Sequence, residues 1–285
     1  MSESIPKLVS TEWLAEHIGD PDVVILDATR HLPAAGRDAR AEFEAAHIPG
    51  ARFMDLESLT DPASPVPAAI PSPDQLSARL DALGVTPSCA IVIYDDSDFK
   101  TSARAWFILI SHGIENVAIL DGGFGKWRAE GRPLEQGRST HVAVKTGGVF
   151  SPTRIASKND VLSNLESEVH QIVDARGADR VFGSGIDPVH GGQNGRIPGS
   201  LNVPFGQVLN ADGTFKNPDE LEKVFEEAGV DLSRPVITTC GSGVTASVLL
   251  FALHLIDKDD VALYDGSWQE WEADPDTPKA QGPAE

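Results

Sequence analysis

Cysteine is nearly absent from this chain: only Cys89 and Cys240 occur in 285 residues. A disulfide framework is therefore excluded as the organising principle, and free thiols suit a reducing, cytoplasmic location. With so few cysteines and with scattered histidines, no metal-ligand spacing appears, and neither a metal nor a cofactor is expected. Basic residues are scarce too, 23 Lys and Arg against 43 Asp and Glu, for a net charge of −20. Nucleic acid and anionic membrane both call for a basic face, so neither is expected as a partner. An anionic substrate would need a local positive site working against that general field. Long hydrophobic runs are also missing. The longest, residues 246–256, falls short of the roughly 20 residues that cross a bilayer. Residues 1–7 show no basic segment leading into an apolar one, so no secretory leader is expected.

What is present is an ordinary soluble composition, 41% hydrophobic, in a length comfortable for two domains. The chain also contains itself twice. Val24-Ile25-Leu26-Asp27-Ala28 returns as Ile172-Val173-Asp174-Ala175, and His47-Ile48-Pro49-Gly50-Ala51 as Arg196-Ile197-Pro198-Gly199-Ser200. Val117-Ala118-Ile119-Leu120-Asp121-Gly122 returns as Val261-Ala262-Leu263-Tyr264-Asp265-Gly266, and Trp127 as Trp271. The period is far longer than a solenoid's, so two tandem domains are expected, residues 1–140 and 151–285. Ser10 and Ser157 read as N-caps of an opening helix in each half. Apolar β-branched runs alternate with helical ones, which predicts an α/β fold with a mostly parallel sheet flanked by helices in each domain. Residues 131–159 read as the linker and residues 62–73 as a Pro-rich surface loop of the first domain.

The reactive group is sought at Cys240. The strand-like run Pro235-Val236-Ile237 leads into Cys240-Gly241-Ser242-Gly243, and an apolar helix-like run follows from Ala246. Unpaired amides at a helix start favour negative charge in such a turn, and a thiolate there is stabilised and nucleophilic. Cys89, at the start of a strand, lacks that setting and reads as structural. An alignment of the repeats without gaps sets Asp96 opposite Cys240, so the first domain is expected to be catalytically inactive.

Other chemistries fit the loop less well. Gly241-x-Gly243-x-x-Ala246 with Asp265 beyond it imitates a dinucleotide fingerprint, but too little chain follows to complete a nucleotide site. A cysteine phosphatase needs an arginine six residues after the nucleophile, where Ala246 stands. Ser242 lacks the flanking glycines of a hydrolase nucleophile elbow.

Tandem domains with one silent loop resemble the rhodanese superfamily. So do Gly36-Arg37-Asp38-Ala39-Arg40, Glu42-Phe43-Glu44, the Ile-Pro-Gly turns, the Cys240 loop and Tyr264-Asp265-Gly266-Ser267-Trp268. The resemblance implies two rhodanese-like domains and a sulfurtransferase carrying sulfane sulfur as a Cys240 persulfide. The neutral Gly241 and Ser242 suit a monoanionic donor, 3-mercaptopyruvate, with pyruvate released. Thiosulfate remains the alternative donor, and a sulfur-relay protein docking one acceptor protein the alternative role. Implied acceptors are cyanide or a thiol such as thioredoxin or glutathione. Loop amides of Gly241, Gly243, Val244 and Thr245 would cradle the outer sulfur. A proton relay of Asp38, His47 and Ser242 is implied, with His47 coming across from the first domain. Arg180 matches the first of two substrate-binding arginines and the second falls on Val189. Arg196, where most members have histidine, and the neighbouring His190 are the residues available to compensate.

Overall fold

A computed structural model describes residues 4–86, 88–139, 141–145 and 152–282. The chain divides into two compact units. Unit 1 comprises Met1–Asp61, Ile70–Thr153 and Ala211–Thr214; unit 2 comprises Pro62–Ala69, Arg154–Asn210 and Phe215–Glu285. Residues 62–69, read from sequence as a loop of the first domain, thus group with unit 2.

In unit 1 the strands are β1 (Leu8–Val9), β2 (Val23–Asp27), β3 (Arg52–Phe53), β4 (Ala90–Tyr94) and β5 (Val117–Leu120). They form a sheet in the order β1-β5-β4-β2-β3, every pair parallel. The helices are α1 (Thr11–His17), α2 (Ala39–Ala45), α3 (Pro73–Ala82), α4 (Thr101–Ser111) and α5 (Gly123–Ala129). Unit 2 repeats the plan with β6 (Ile155–Ala156), β7 (Gln171–Asp174), β8 (Leu201–Asn202), β9 (Val236–Thr239) and β10 (Val261–Tyr264). Their order, β6-β10-β9-β7-β8, is the same and again all parallel. Its helices are α6 (Lys158–Ser167), α7 (Ala178–Phe182), α8 (Pro218–Glu227), α9 (Val244–Leu255) and α10 (Ser267–Ala273). The α/β fold with parallel sheets flanked by helices is as the repeat predicted.

The central strands explain that outcome. β4 is buried at every residue of Ala90-Ile91-Val92-Ile93-Tyr94, as a strand covered on both faces must be. The apolar run of α9 is buried from Ala246 to Leu253, so this helix is core rather than surface. Ser10 caps α1 by accepting from Trp13 N at 3.1 Å, and Ser157 caps α6 in a reciprocal box with Asp160. Trp127 and Trp271 are fully buried, each donating its indole N–H to a proline carbonyl, Pro133 at 2.9 Å and Pro278 at 2.8 Å.

Two sequence readings change. Much of the expected linker belongs to unit 1: His47 and Glu135 exchange backbone bonds at 2.9 Å, Gly137 N donates to Glu44 O, and Val144 N to Asp81 O. Residues 140 and 146–151 of that linker lie outside the described residues. The second change concerns register. Ala28 N donates to Tyr94 O in unit 1, as Ala175 N does to Thr239 O in unit 2. Phe124 N donates to Asp95 O, as Trp268 N does to Cys240 O. The counterpart of Cys240 is therefore Asp95, not Asp96. The strand-to-helix loop spans residues 96–100 in unit 1 but only 241–243 in unit 2, and a gapless alignment pushes that difference onto the strand.

Candidate active site

Cys240 follows the last residue of β9 and is 2% exposed. Its loop is held from below by one hydroxyl. Ser267 Oγ accepts the amides of Cys240 and Gly243, both at 3.1 Å, and donates to Tyr264 O at 2.8 Å. The first turn of α10 closes over the loop carbonyls, with Trp268 N on Cys240 O at 2.9 Å and Gln269 N on Gly241 O at 3.0 Å. Ser267 reaches this position at φ +52°, a left-handed conformation that costs a non-glycine residue about 1–2 kcal/mol. Gly243 turns the chain into α9 at φ +78°.

These bonds sort the expected cradle. The amides of Val244 and Thr245 open α9 and have no intrahelical acceptor, so they remain for an anion. The Gly243 amide is already taken by Ser267, which corrects its placement in the cradle: it fixes the turn instead. Ser242 is half-buried, and its hydroxyl has no hydrogen-bond partner among the described residues.

A second wall rises from the segment after α7. Ile186 and Gln193 form an antiparallel bridge, and Asp187 is buried between them at the tip's base. The Asp187 carboxylate accepts Arg180 Nε at 3.1 Å, Arg180 Nη2 at 2.7 Å and the amide of Val189 at 2.8 Å. Burial pushes that carboxyl up, but the Arg180 fork and the amides outweigh it, and the net shift is downward. Beneath lies Arg176, 1% exposed, which binds Asp174 through Nε and Nη2 and stacks over Trp268 at 4.8 Å. Its Nη1 sits 3.9 Å from Asp187. Asp174, Arg176, Asp187 and Arg180 thus alternate in charge and brace the wall. Sequence reasoning missed Arg176. The signal was there, since the first repeat has Thr29 at that place.

Arg180 and His190 meet the loop at Gly241. A Cβ on Gly241 would overlap the His190 ring at Nε2 and come within 3.3 Å of Arg180 Nη2, so a larger residue there would displace the His190 ring. Arg180 gives Nε and one edge of Nη2 to Asp187; its remaining donors are those a ligand can use. The fork expected to face the donor is thus turned to Asp187. Burial first, then the charge of Arg180, hold His190 below the usual imidazole range, with Asp187 opposing only in part. Val189 is 37% exposed and polar contact from its side chain is impossible.

Arg196 is placed elsewhere. Its amide pairs with Ala280 O at 2.9 Å, its Nε donates to Gly282 O at 3.2 Å, and its guanidinium lies 5.7 Å from the Phe182 ring centroid. These contacts fasten the chain's last described residues, which a local sequence pattern does not reveal. They lend no support to its expected role in substrate binding.

The remaining candidates lie in unit 1. Asp38 is exposed and caps α2, accepting from Ala41 N at 3.0 Å. His47 is fully buried, stacked on Phe43 at 4.0 Å, with Nδ1–H donated to Phe43 O at 2.7 Å. His47 Nε2 is unbonded, 4.0 Å from Glu135. A relay would need the Asp38 carboxylate on His47 Nδ1, and that nitrogen is already occupied. The Asp38–His47 limb of the expected relay is not assembled.

Both units match the rhodanese-like domain family, over residues 10–130 and 157–274. The chain belongs to that family. Among rhodanese-like relatives, the 3-mercaptopyruvate sulfurtransferase of Rattus norvegicus is 40% identical over 270 residues, 93% of this chain and 91% of the relative. The thiosulfate sulfurtransferase of the same species is 38% identical over 284 residues, covering 96% and 95%. The crystal structure of SseA, a 3-mercaptopyruvate sulfotransferase from Escherichia coli, superposes with a TM-score of 0.84 at 37% identity, covering 93% of this chain and 99% of that one.

Proposed function

We propose that this rhodanese-like chain moves sulfane sulfur from 3-mercaptopyruvate to a thiol acceptor or cyanide through a persulfide on Cys240. The observation that carries the reading is the loop itself: a cysteine at a strand end, its loop pinned by Ser267 and running into a helix start, with Arg180 and His190 against the next residue, Gly241. The thiolate attacks the donor sulfur, the S–S bond forms as the S–C bond breaks, and pyruvate leaves. Val244 and Thr245 amides steady the anionic outer sulfur. The acceptor then removes that sulfur in the second half of a ping-pong cycle.

Unit 1 takes no part in the chemistry in this reading, because Asp95 stands where the thiol would be. Thioredoxin or glutathione are the acceptors proposed, and the cytoplasm the location. Thiosulfate is retained as a second donor because Val189 stands where a second arginine would strengthen the hold on a carboxylate.

The test is steady-state transfer to cyanide with each donor, in the native protein and in Cys240→Ser. Higher kcat/KM for mercaptopyruvate, and loss of transfer from both donors in the variant, is expected. Transfer persisting in Cys240→Ser contradicts the reading; a preference for thiosulfate replaces its donor.

A further inference from the structure

We propose that His190 carries the proton in the donor half-reaction. The inference rests on the sulfur-transfer reading above and assigns one step of it to a residue outside the loop. The need for a carrier follows from the donor. Mercaptopyruvate brings a proton on its sulfur, and its leaving carbon must gain one to become the methyl of pyruvate. As Cys240 attacks, the electron pair of the C–S bond passes to carbon as an enolate. The S–H proton goes to an imidazole nitrogen of His190 and from there to that carbon. Enzyme thiolate and HS–CH₂–CO–CO₂⁻ become enzyme S–S⁻ and CH₃–CO–CO₂⁻. Charge balances, the sulfur is oxidised to the sulfane level and the carbon is reduced.

Three observations favour His190 for this step. Its Nε2 lies against the backbone of Gly241, the residue after the nucleophile. Neither ring nitrogen has a hydrogen-bond partner among the described residues, whereas the backbone amide is fixed by Asp187 at 3.3 Å. Burial and the facing charges of Arg180 and Arg176, opposed by Asp187, favour the neutral ring, which can accept a proton and return it. His47, the other imidazole considered, has its Nδ1–H held by Phe43 O and is buried in unit 1.

Two other sulfur movements need no proton. Thiosulfate gives E–S–S⁻ and SO₃²⁻ directly, and cyanide discharges E–S–S⁻ to E–S⁻ and SCN⁻. They serve as internal controls for the loop and the fold. In single turnover, His190→Gln is expected to slow pyruvate release from mercaptopyruvate on the order of 10²-fold. Cyanide discharge of persulfide loaded with inorganic polysulfide should match the native rate. An equal loss in both half-reactions, or no loss in either, overturns the role of His190 while leaving the sulfur-transfer reading intact. Native protein that releases no pyruvate from mercaptopyruvate overturns the donor reading, and this inference with it.

Discussion

At the end of its central strand unit 1 carries Asp95 and unit 2 carries Cys240, and the two loops answer the same electrostatic problem differently. The Asp95 carboxylate folds back on its own loop, accepting Ser97 N at 2.8 Å and Ser102 N at 2.9 Å, and is buried there. The amides that would attract a bound anion already hold a built-in one. Burial raises its pKa, the amide and hydroxyl bonds of Ser102 opposing. The next residue, Asp96, faces outward to Arg37 at 2.9 Å. In unit 2 the loop is shorter, and the scaffold beneath it supplies the anchoring group instead. Gly123 and Ser267 hold corresponding places and both have positive φ, +60° and +52°. In unit 1 a Cβ at Gly123 would strike Asp95 O. In unit 2 the serine endures the strain, and its hydroxyl pins both ends of the loop. The Asp95 carboxylate satisfies its own loop, whereas the Cys240 loop is satisfied from outside by Ser267, which is the difference the proposed chemistry draws on.

The sharpest way to break this comparison is to move the thiol. Asp95→Cys placed in a Cys240→Ser background is expected to leave sulfur transfer abolished. The unit 1 loop is longer, and the arginine beside it, Arg37, is held by the carboxylates of Asp96 and Glu42. Measurable thiocyanate production from that double variant would show that a thiol at the strand end suffices.

The buried aspartates one strand away should differ in stability. Asp174 has the Arg176 fork, while its counterpart Asp27 has Thr29, and burial lifts the Asp27 carboxyl to about 6. A carboxyl with a folded pKa above its unfolded value costs stability when ionised. That cost is absent below about pH 4 and full above about pH 6. Asp27→Asn is thus expected to stabilise the protein at pH 7 by up to about 3 kcal/mol, with no gain near pH 4. Denaturant titrations at the two pH values measure it, and an equal effect at both contradicts the assignment.

Ser267 offers the finest distinction. Ser267→Ala removes the acceptor of two buried amides and keeps the backbone strain, for a loss of about 2 kcal/mol. Ser267→Gly removes the same acceptor but relieves the strain, so it should lose about 1 kcal/mol less. Thermal unfolding of both variants checks the order.

The sequence made much of this legible, and the misses share a cause. The repeat and its strand–helix alternation were read from residues a few positions apart, as were the Ser10 and Ser157 caps. Cys240 stood out because a glycine turn joins a strand to a buried helix, again a local pattern. Asp95 was displaced to Asp96 because only cross-strand bonds such as Ala28 N to Tyr94 O define where the strand ends. The contacts of Arg196 were hidden because its partners, Ala280 and Gly282, lie more than eighty residues further along the sequence. Asp38 sits at a helix start, where capping is the simplest use of a carboxylate. Ser267 was visible only as part of a motif, although the glycine in the other repeat marks its unusual backbone.

The proposed transfer requires sulfur to reside at one place, Cys240. Mass spectrometry of the protein after mercaptopyruvate, with no acceptor present, tests that directly. One added sulfur atom on the peptide bearing Cys240, formed with one equivalent of pyruvate and removed by cyanide, is the result predicted. Pyruvate released with no sulfur on Cys240, or sulfur found on Cys89 instead, would contradict it.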